Sequence, residues 1–248
     1  NGSIDDVKIY NRALTQEEII REAGLEHEGA VLDMGFDENG GDIVKDLSGN
    51  DNHGTLNPDE SSGPQRVEGI QGNALEFDGD GDYVDVADDD SLDFGTSKDY
   101  SLSYWVRKKD VSGVEIPIDK RTSEHIGFVN YFSGDTLYFR GDGNGNDLTC
   151  TETFSANQWY HIVFTNDREE NRTFYVNGVK KGESEYNSSS LDITNADSLY
   201  IGKDYGSGGY YINGSIDEVK IYPYALGESK VKELYSEGKS KIGSKESG

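Results

Sequence analysis

Apolar and polar residues alternate in short runs along most of the chain, and each run is bounded by glycine, asparagine, aspartate or serine. Alternation with a period of two predicts β-strands that bury one face. Asn177-Gly178 also predicts a tight hairpin turn. Many short strands with little helix predict an all-β fold, a two-sheet antiparallel jelly-roll sandwich. The predicted strands cover residues 75–77, 83–86, 100–106, 125–131, 136–140, 159–165, 172–179, 199–201 and 215–222.

A near-repeat divides the chain. Eleven of fourteen residues are identical between 1–14 and 213–226. A sequence repeat of this kind is typical of tandem copies of one structural unit. We therefore expect residues 1–28 to be the C-terminal remnant of a preceding repeat, and residues 29–238 to be one complete domain. A short helix is expected after each copy, at 17–23 and 228–235. Residues 239–248, rich in Ser, Lys and Gly, predict a linker or disordered tail.

Composition narrows the possible partners. The net charge is −25, from 23 Lys and Arg against 48 Asp and Glu, which disfavours binding to nucleic acid. No apolar run is long enough to insert into a membrane. Cys150 is the single cysteine, so neither a disulfide framework nor a catalytic thiol is expected. Four N-x-Ser/Thr sequons are compatible with an extracellular or cell-surface location.

The order of several motifs resembles the laminin-G-like jelly-roll family of the concanavalin A-like lectin/glucanase superfamily. The resemblance covers residues 29–235 in collinear order and implies a concanavalin A-like sandwich of two large antiparallel sheets. The motifs that carry it lie at residues 72–79, 82–86, 100–106, 157–163, 174–178, 199–202 and 214–222.

The resemblance also implies one structural calcium ion, held where the first and last strands meet. The matching positions here are Asp217 in the final motif, with Asp37 and Asp33 as partners. A second candidate is the acidic loop with Asp78 and Asp82, since calcium prefers carboxylate and carbonyl oxygens. That loop begins like an EF-hand, but Tyr83 stands where the glycine belongs. The alternative for all of these acids is a solvated turn.

No catalytic residues are predicted. A retaining glycosidase needs two carboxyls about 5 Å apart, and no strand carries a suitable pair: Glu115 and Asp119 are loosely spaced and Pro117 interrupts them. Trp105 and Trp159 are expected in the core. The candidate ligand-binding residues lie in two glycine-rich loops, because loops on a rigid sandwich are the usual place for binding. They are Tyr205, Tyr210 and Tyr211 in one loop and Asp142 and Asn144 in the other.

These features predict a non-catalytic recognition module of a multidomain secreted or cell-surface protein. Its expected ligands are glycans or surface proteins, in adhesion, and its expected neighbours are repeat domains of the same chain. Two alternatives remain open at this stage. One is a structural spacer in a repeat array, and the other is an accessory carbohydrate-binding module of a glycoside hydrolase.

Overall fold

A computed structural model describes residues 10, 29–141, 147–185, 192–206 and 209–245. Within these ranges the chain forms sixteen strands, one 3-10 turn (Asp90–Leu92) and one helix, α1 (Glu228–Lys245). The strands are β1 Leu32–Met34, β2 Ile43–Val44, β3 Gly54–Asn57, β4 Gln65–Glu68, β5 Asn73–Asp78, β6 Tyr83–Val86, β7 Tyr100–Lys108, β8 Val114–Arg121, β9 Gly127–Ser133, β10 Thr136–Arg140, β11 Leu148–Thr149, β12 Trp159–Asn166, β13 Asn171–Val176, β14 Val179–Glu185, β15 Leu199–Ile201 and β16 Asn213–Tyr222.

The strands form two antiparallel sheets of eight strands each. The first sheet has the order β14-β13-β12-β7-β16-β5-β4, and β1 also pairs with β16. The second sheet has the order β11-β10-β9-β8-β15-β6-β3-β2. The predicted all-β, two-sheet antiparallel sandwich is therefore confirmed. β1 and β16 are paired in register, with Asp33 opposite Lys220, so the first and last described strands meet as expected.

Alternating side chains of the two sheets fill the space between them. Leu102, Tyr104 and Val106 of β7 are buried in this core, as are Phe128 and Phe132 of β9. Such side chains gain about 25 cal/mol per Å² of apolar surface removed from water. The opposite residues of each strand face outward, and they carry the sites described below.

The Asn177-Gly178 hairpin is observed. Both residues have positive φ, 51° and 76°, as a two-residue turn between β13 and β14 requires. The strand predicted over 172–179 is therefore two strands joined by this turn. The sequence also missed β8, because Pro117 was expected to interrupt it. The strand continues through Pro117, beside an irregularity in its pairing between Glu115 and Ile118, the kind of position where a strand tolerates proline.

Helix α1 packs on the outer face of the first sheet. Val231 and Leu234 of the helix cluster with Val163, Tyr175 and Tyr222, so this sheet is covered on both faces. The helix continues to Lys245, so residues 239–245 are helical rather than the predicted linker or disordered tail. The helix predicted at 17–23 and most of the predicted remnant at 1–28 lie outside the described residues. In the described part of the chain, no helix is both long and apolar enough to cross a membrane.

Candidate functional site

Partly exposed tyrosines gather on the outer face of the second sheet. Tyr200 is paired in register with Asp119 and Asp85, and Tyr131 with Tyr138. Residues paired across antiparallel strands project from the same face, and the inward positions beside them hold Ile118 and Phe128. We call this surface the tyrosine face. Its members are Tyr83, Tyr131, Tyr138, Tyr200, Tyr205 and Tyr211, none of them fully buried.

The rings at one end of the tyrosine face surround a lysine. Tyr83 and Tyr200 meet edge to face with their centroids 5.9 Å apart. The Lys203 ammonium lies 4.3 Å from the centroid of each ring. In the described residues no carboxylate lies within 4.0 Å ion-pair distance of Lys203; the ammonium makes cation–π contacts with both rings and a longer-range interaction with Asp204.

The glycine-rich loop predicted to bind ligand lies over this face. Tyr205 and Tyr211 are partly buried and Tyr210 is 46 % exposed. Tyr211 forms an isolated bridge with Lys203, and the backbone N–H of Asp204 donates to the carbonyl of Tyr210 at 3.1 Å. The structure therefore brings Tyr205, Tyr210 and Tyr211 to one surface.

A buried ion pair anchors the loop to the sheet. Arg121 donates two hydrogen bonds to Asp119, at 2.9 and 2.6 Å. The backbone N–H of Tyr205 donates to the same carboxylate at 3.3 Å, and the Arg121 guanidinium lies 5.2 Å from the Tyr205 ring centroid. Burial raises the pKa of Asp119 to about 6, although Arg121 opposes the shift. Loop and sheet are thus held in one arrangement.

The other end of the face carries a second aromatic pair. Tyr131 and Tyr138 stack with centroids 5.1 Å apart. Arg140 binds Asp147 through two hydrogen bonds of 2.7 and 2.8 Å, and the Tyr131 hydroxyl donates to the same carboxylate. Asp142 and Asn144, which were predicted to contact a ligand, lie between Arg140 and Asp147 in the sequence and outside the described residues.

Only the loop tyrosines were predicted from the sequence, whereas Tyr83, Tyr131, Tyr138 and Tyr200 belong to strands. A signal was present for three of them, since Tyr83, Tyr138 and Tyr200 alternate with apolar residues along their strands. Tyr131 lies between Asn130 and Phe132, so the pattern is weaker there. Aromatic residues at outward strand positions mark a surface that is unusually apolar for solvent.

The acids predicted to hold calcium have other partners. Asp217, fully buried, accepts the backbone N–H groups of Ile70 at 2.7 Å, Gln71 at 3.2 Å and Glu218 at 2.8 Å. Burial and the Glu218 carboxylate raise the pKa of Asp217 to about 8, and the three donors oppose this shift. Asp217 therefore caps backbone groups.

Asp37 and Asp33 are also engaged. Asp37 accepts the backbone N–H of Asn73 at 2.7 Å, and Asp33 forms a 3.1 Å ion pair with Lys220. The described residues contain no group of three His, Cys, Asp or Glu side chains suited to a metal ion. These carboxylates accept backbone N–H groups or pair with an ammonium, and calcium at Asp217, Asp37 and Asp33 stays a prediction.

The acidic loop between β5 and β6 is internally bonded. Asp82 accepts the backbone N–H of Asp78 at 3.0 Å, and Asp78 accepts that of Asp80 at 2.7 Å. Burial raises the pKa of Asp82, with smaller contributions from Asp78 and Asp80. These hydrogen bonds stabilise the turn that connects β5 of the first sheet to β6 of the second sheet. Calcium at Asp78 and Asp82 stays a prediction.

Glu115 and Asp119 lie on opposite faces of β8. Asp119 pairs with Val129 and Glu115 with Phe132, and positions three apart on β9 project to opposite sides. Glu115 forms a 3.1 Å ion pair with Lys108 on the inner side. The two carboxyls therefore cannot flank one glycosidic bond.

Comparison with known proteins supports the same architecture. Residues 78–232 match the concanavalin A-like lectin/glucanases superfamily. The binding domain of Paraclostridial Mosquitocidal Protein 1 superposes with a TM-score of 0.71 and 24 % identity, over 84 % of this chain and 52 % of that one. The ligand-binding domain of botulinum neurotoxin serotype D, solved with N-acetylneuraminic acid, gives a TM-score of 0.66 and 16 % identity, over 86 % of this chain and 52 % of that one.

A curated relative is similar in sequence. Botulinum neurotoxin type X of Clostridium botulinum is 23 % identical over 213 residues, which cover 83 % of this chain and 16 % of the toxin. The chain thus spans about half the length of the solved structures and a small part of the toxin.

Proposed function

We propose that this chain, which belongs to the concanavalin A-like lectin/glucanases superfamily, is a non-catalytic recognition module of a secreted or cell-surface multidomain protein. Its ligands are glycans or surface proteins, bound on the tyrosine face. For the module itself we propose ligand binding. For the whole protein that contains it, we propose a role in adhesion.

One observation carries the proposal, the gathering of six tyrosines on a surface that is both rigid and accessible. Tyrosine offers a large, stiff contact area with a polar tip, at a small entropic cost on binding. The strands fix four of the rings, and the Asp119–Arg121 pair fixes the loop that bears the others. Such preorganisation lowers the ordering cost that binding must overcome.

Lys203 suits an acidic group on the ligand. It lies between Tyr83 and Tyr200, where a ligand carboxylate would form an ion pair while a sugar ring contacts the aromatic edges. The similarity to a toxin domain solved with N-acetylneuraminic acid, an acidic sugar, favours this class of glycan. An acidic glycan is therefore the first ligand to test.

Two observations favour a binding role over catalysis. The candidate carboxyl pair Glu115 and Asp119 projects to opposite sides of its strand. The similar proteins named above include binding domains of toxins.

The likeness to a neurotoxin also favours a second candidate function, the receptor-binding portion of a toxin-like protein.

A glycan array tests the proposal. The fragment is applied to sialylated and matched neutral glycans, alongside the Tyr83→Ala/Tyr200→Ala double variant and Lys203→Gln. We expect binding by the parent fragment, loss in the double variant, and a selective loss of acidic glycans in Lys203→Gln. Tyr224→Ala, an exposed tyrosine outside the face, is the control. Absence of binding to any glycan, together with absence of binding to sialidase-treated and untreated cells, would exclude the function and favour a spacer.

A further inference from the structure

A pocket of about 110 Å³ lies between helix α1 and the outer face of the first sheet. A water molecule takes about 30 Å³ in the liquid, so this space has room for a compact chemical group. Strands β7, β12 and β16 form its floor, helix α1 forms one wall, and Gln71 closes one side. It is on the opposite sheet from the tyrosine face.

Aromatic rings form part of the pocket. Trp105 is 3 % exposed, but it lies beneath helix α1 and not between the sheets, where the sequence placed it. Its ring centroid is 5.1 Å from that of His161 and 5.8 Å from that of Tyr235. The helix approaches closely here, because a Cβ added at Gly238 would lie 2.5 Å from the Trp105 ring.

His161 presents an unsatisfied atom. Its Nε2 lies 3.0 Å from the Ser103 hydroxyl, while its buried Nδ1 has no hydrogen-bond partner in the described part of the chain. Burial lowers the pKa of His161 to about 3, so the ring is neutral near pH 7. A neutral imidazole that donates through Nε2 has an acceptor at Nδ1. Buried polar atoms of this kind are usually bonded to water or to a ligand.

A strained backbone directs a carboxylate to the pocket. The pairing of β16 with β7 is irregular between Asp217 and Lys220, and Glu218 within that stretch has φ of 49°. A non-glycine residue in this region is strained, and such strain clusters at functional sites. Asp217 accepts the N–H groups of both Glu218 and Gln71, so it positions two residues that line the pocket.

The charges at the pocket are unbalanced. Glu218 and Glu237 line it together with Lys220, and Lys220 already pairs with Asp33 at 3.1 Å and Glu218 at 3.6 Å. Three carboxylates therefore surround one ammonium, with a neutral imidazole beside them. Burial raises the pKa of Glu218; Lys220 opposes this shift, and the nearby Asp33 and Asp37 charges add to it. A bound cation would relieve this repulsion.

We propose that the pocket under helix α1 binds a small organic cation, a primary or methylated ammonium group. The Trp105 ring supplies a cation–π contact, Glu218 and Glu237 supply the opposing charge, and His161 Nδ1 accepts an N–H where the ligand has one. An anion is repelled by the acids, and a neutral ligand leaves their excess charge in place.

Tryptophan fluorescence tests the proposal directly, because the chain has two tryptophans. Trp159→Phe leaves Trp105 as the single reporter. This variant is titrated with methylammonium and tetramethylammonium chloride at constant ionic strength set with sodium chloride. Neopentyl alcohol, of nearly the same shape as tetramethylammonium but uncharged, is the matched control. We expect a saturable change with the two cations and none with the alcohol.

Two further variants locate the response. In the Trp159→Phe background, Glu218→Gln is expected to weaken binding about tenfold or more, which is about 1.4 kcal/mol or more, because the amide removes the charge that opposes the ligand. Glu237→Gln, at an exposed position of the helix on the rim of the pocket, gives a second test if the first variant does not fold. Glu76→Gln on β5 is the charge-matched control. An equal response to the alcohol, no saturable response, or a response unchanged in the two pocket variants would each overturn the proposal.

Discussion

The buried carboxylate of Asp217 accepts the backbone N–H of Ile70 at 2.7 Å, across 147 positions of sequence. The same side chain accepts N–H groups of Gln71 and Glu218. One aspartate thus joins the last strand to the turn before β5, and it stabilises the irregular stretch of β16 that carries Glu218. The carboxylate at which the family resemblance implies calcium thus caps backbone groups in this structure, and calcium at Asp217 stays a prediction.

Asp217→Asn should destabilise the fold. The amide offers one acceptor oxygen, so at least one buried N–H loses its partner, and an unsatisfied buried group costs about 1–3 kcal/mol. Denaturant unfolding should show a lower midpoint with an unchanged slope. Asp80→Asn, on the exposed loop between β5 and β6, makes the same chemical change and should leave the midpoint within error. Equal stability of the two variants would show that the capping bonds contribute nothing.

Gly72 is required by the approach of Asp37. It has φ of +59°, and a Cβ there would lie 1.8 Å from Asp37 Oδ1. Gly72→Ala should therefore lower the free energy of unfolding by clash and strain together. Gly113 also has positive φ, +73°, and nothing lies within 4 Å of an added Cβ, so Gly113→Ala reports the backbone strain alone. The account requires the larger loss at Gly72, measured by thermal or denaturant unfolding.

The sequence predicted the strands best where one face is apolar and the other polar. The strands at 83–86, 136–140 and 199–201 were predicted with the bounds observed. The alternation in β8 was obscured by Pro117 and by the irregular pairing beside it, which shifts the pattern of buried residues by one position. Very short strands such as β2 and β11 have too few residues to show any period.

The sites were harder to predict than the fold. Trp105 and His161 have the apolar neighbours of core residues, and their position beneath a helix depends on residues about 75 or more positions further along. The position of Lys203 between Tyr83 and Tyr200 likewise depends on the pairing of β6 with β15. The alternation of apolar and polar residues predicts each strand but does not predict which strands pair. The loop at Tyr205–Tyr211 was found because composition alone marks a glycine-rich, tyrosine-bearing connection.

Stability should depend on pH through Glu115. Burial raises its pKa from 4.5 to about 7, although Lys108 opposes the shift. The folded protein therefore holds a proton between pH 4.5 and 7 that the unfolded chain releases. The free energy of unfolding should fall as pH rises through this window, with up to about 1.4 kcal/mol per pH unit from this group.

Glu115→Gln should flatten this dependence, as measured by denaturant midpoints at several pH values between 5 and 8. The remaining slope comes from the other buried acids, among them Asp119 and Asp217, whose pKa values are raised to about 6 and about 8. Glu124→Gln, on an exposed turn, removes the same charge and should leave the slope unchanged. A parent and a Glu115→Gln variant with identical slopes would contradict the assignment.

Any calcium-dependent rise in the melting temperature, measured against chelator at matched ionic strength, should be unaffected by Asp217→Asn. The reason is that Asp217 and Asp33 already bind N–H groups and the Lys220 ammonium. A true site would be easy to detect, since a ligand at a hundred times its Kd stabilises by about 2.7 kcal/mol. A calcium-specific rise that Asp217→Asn abolishes would instead establish the calcium site that the family resemblance implies.

Ligand recognition at the tyrosine face is tested most directly by the Kd of an array-selected ligand, measured for the parent fragment and for Tyr83→Ala/Tyr200→Ala. Aromatic contacts at a binding site are worth about 1–2 kcal/mol each on truncation, so we expect Kd to rise about tenfold or more while the melting temperature changes little. Tyr224→Ala should bind as the parent does. An unchanged Kd in the double variant would mean that recognition occurs elsewhere on the molecule and that the tyrosine face is not the site.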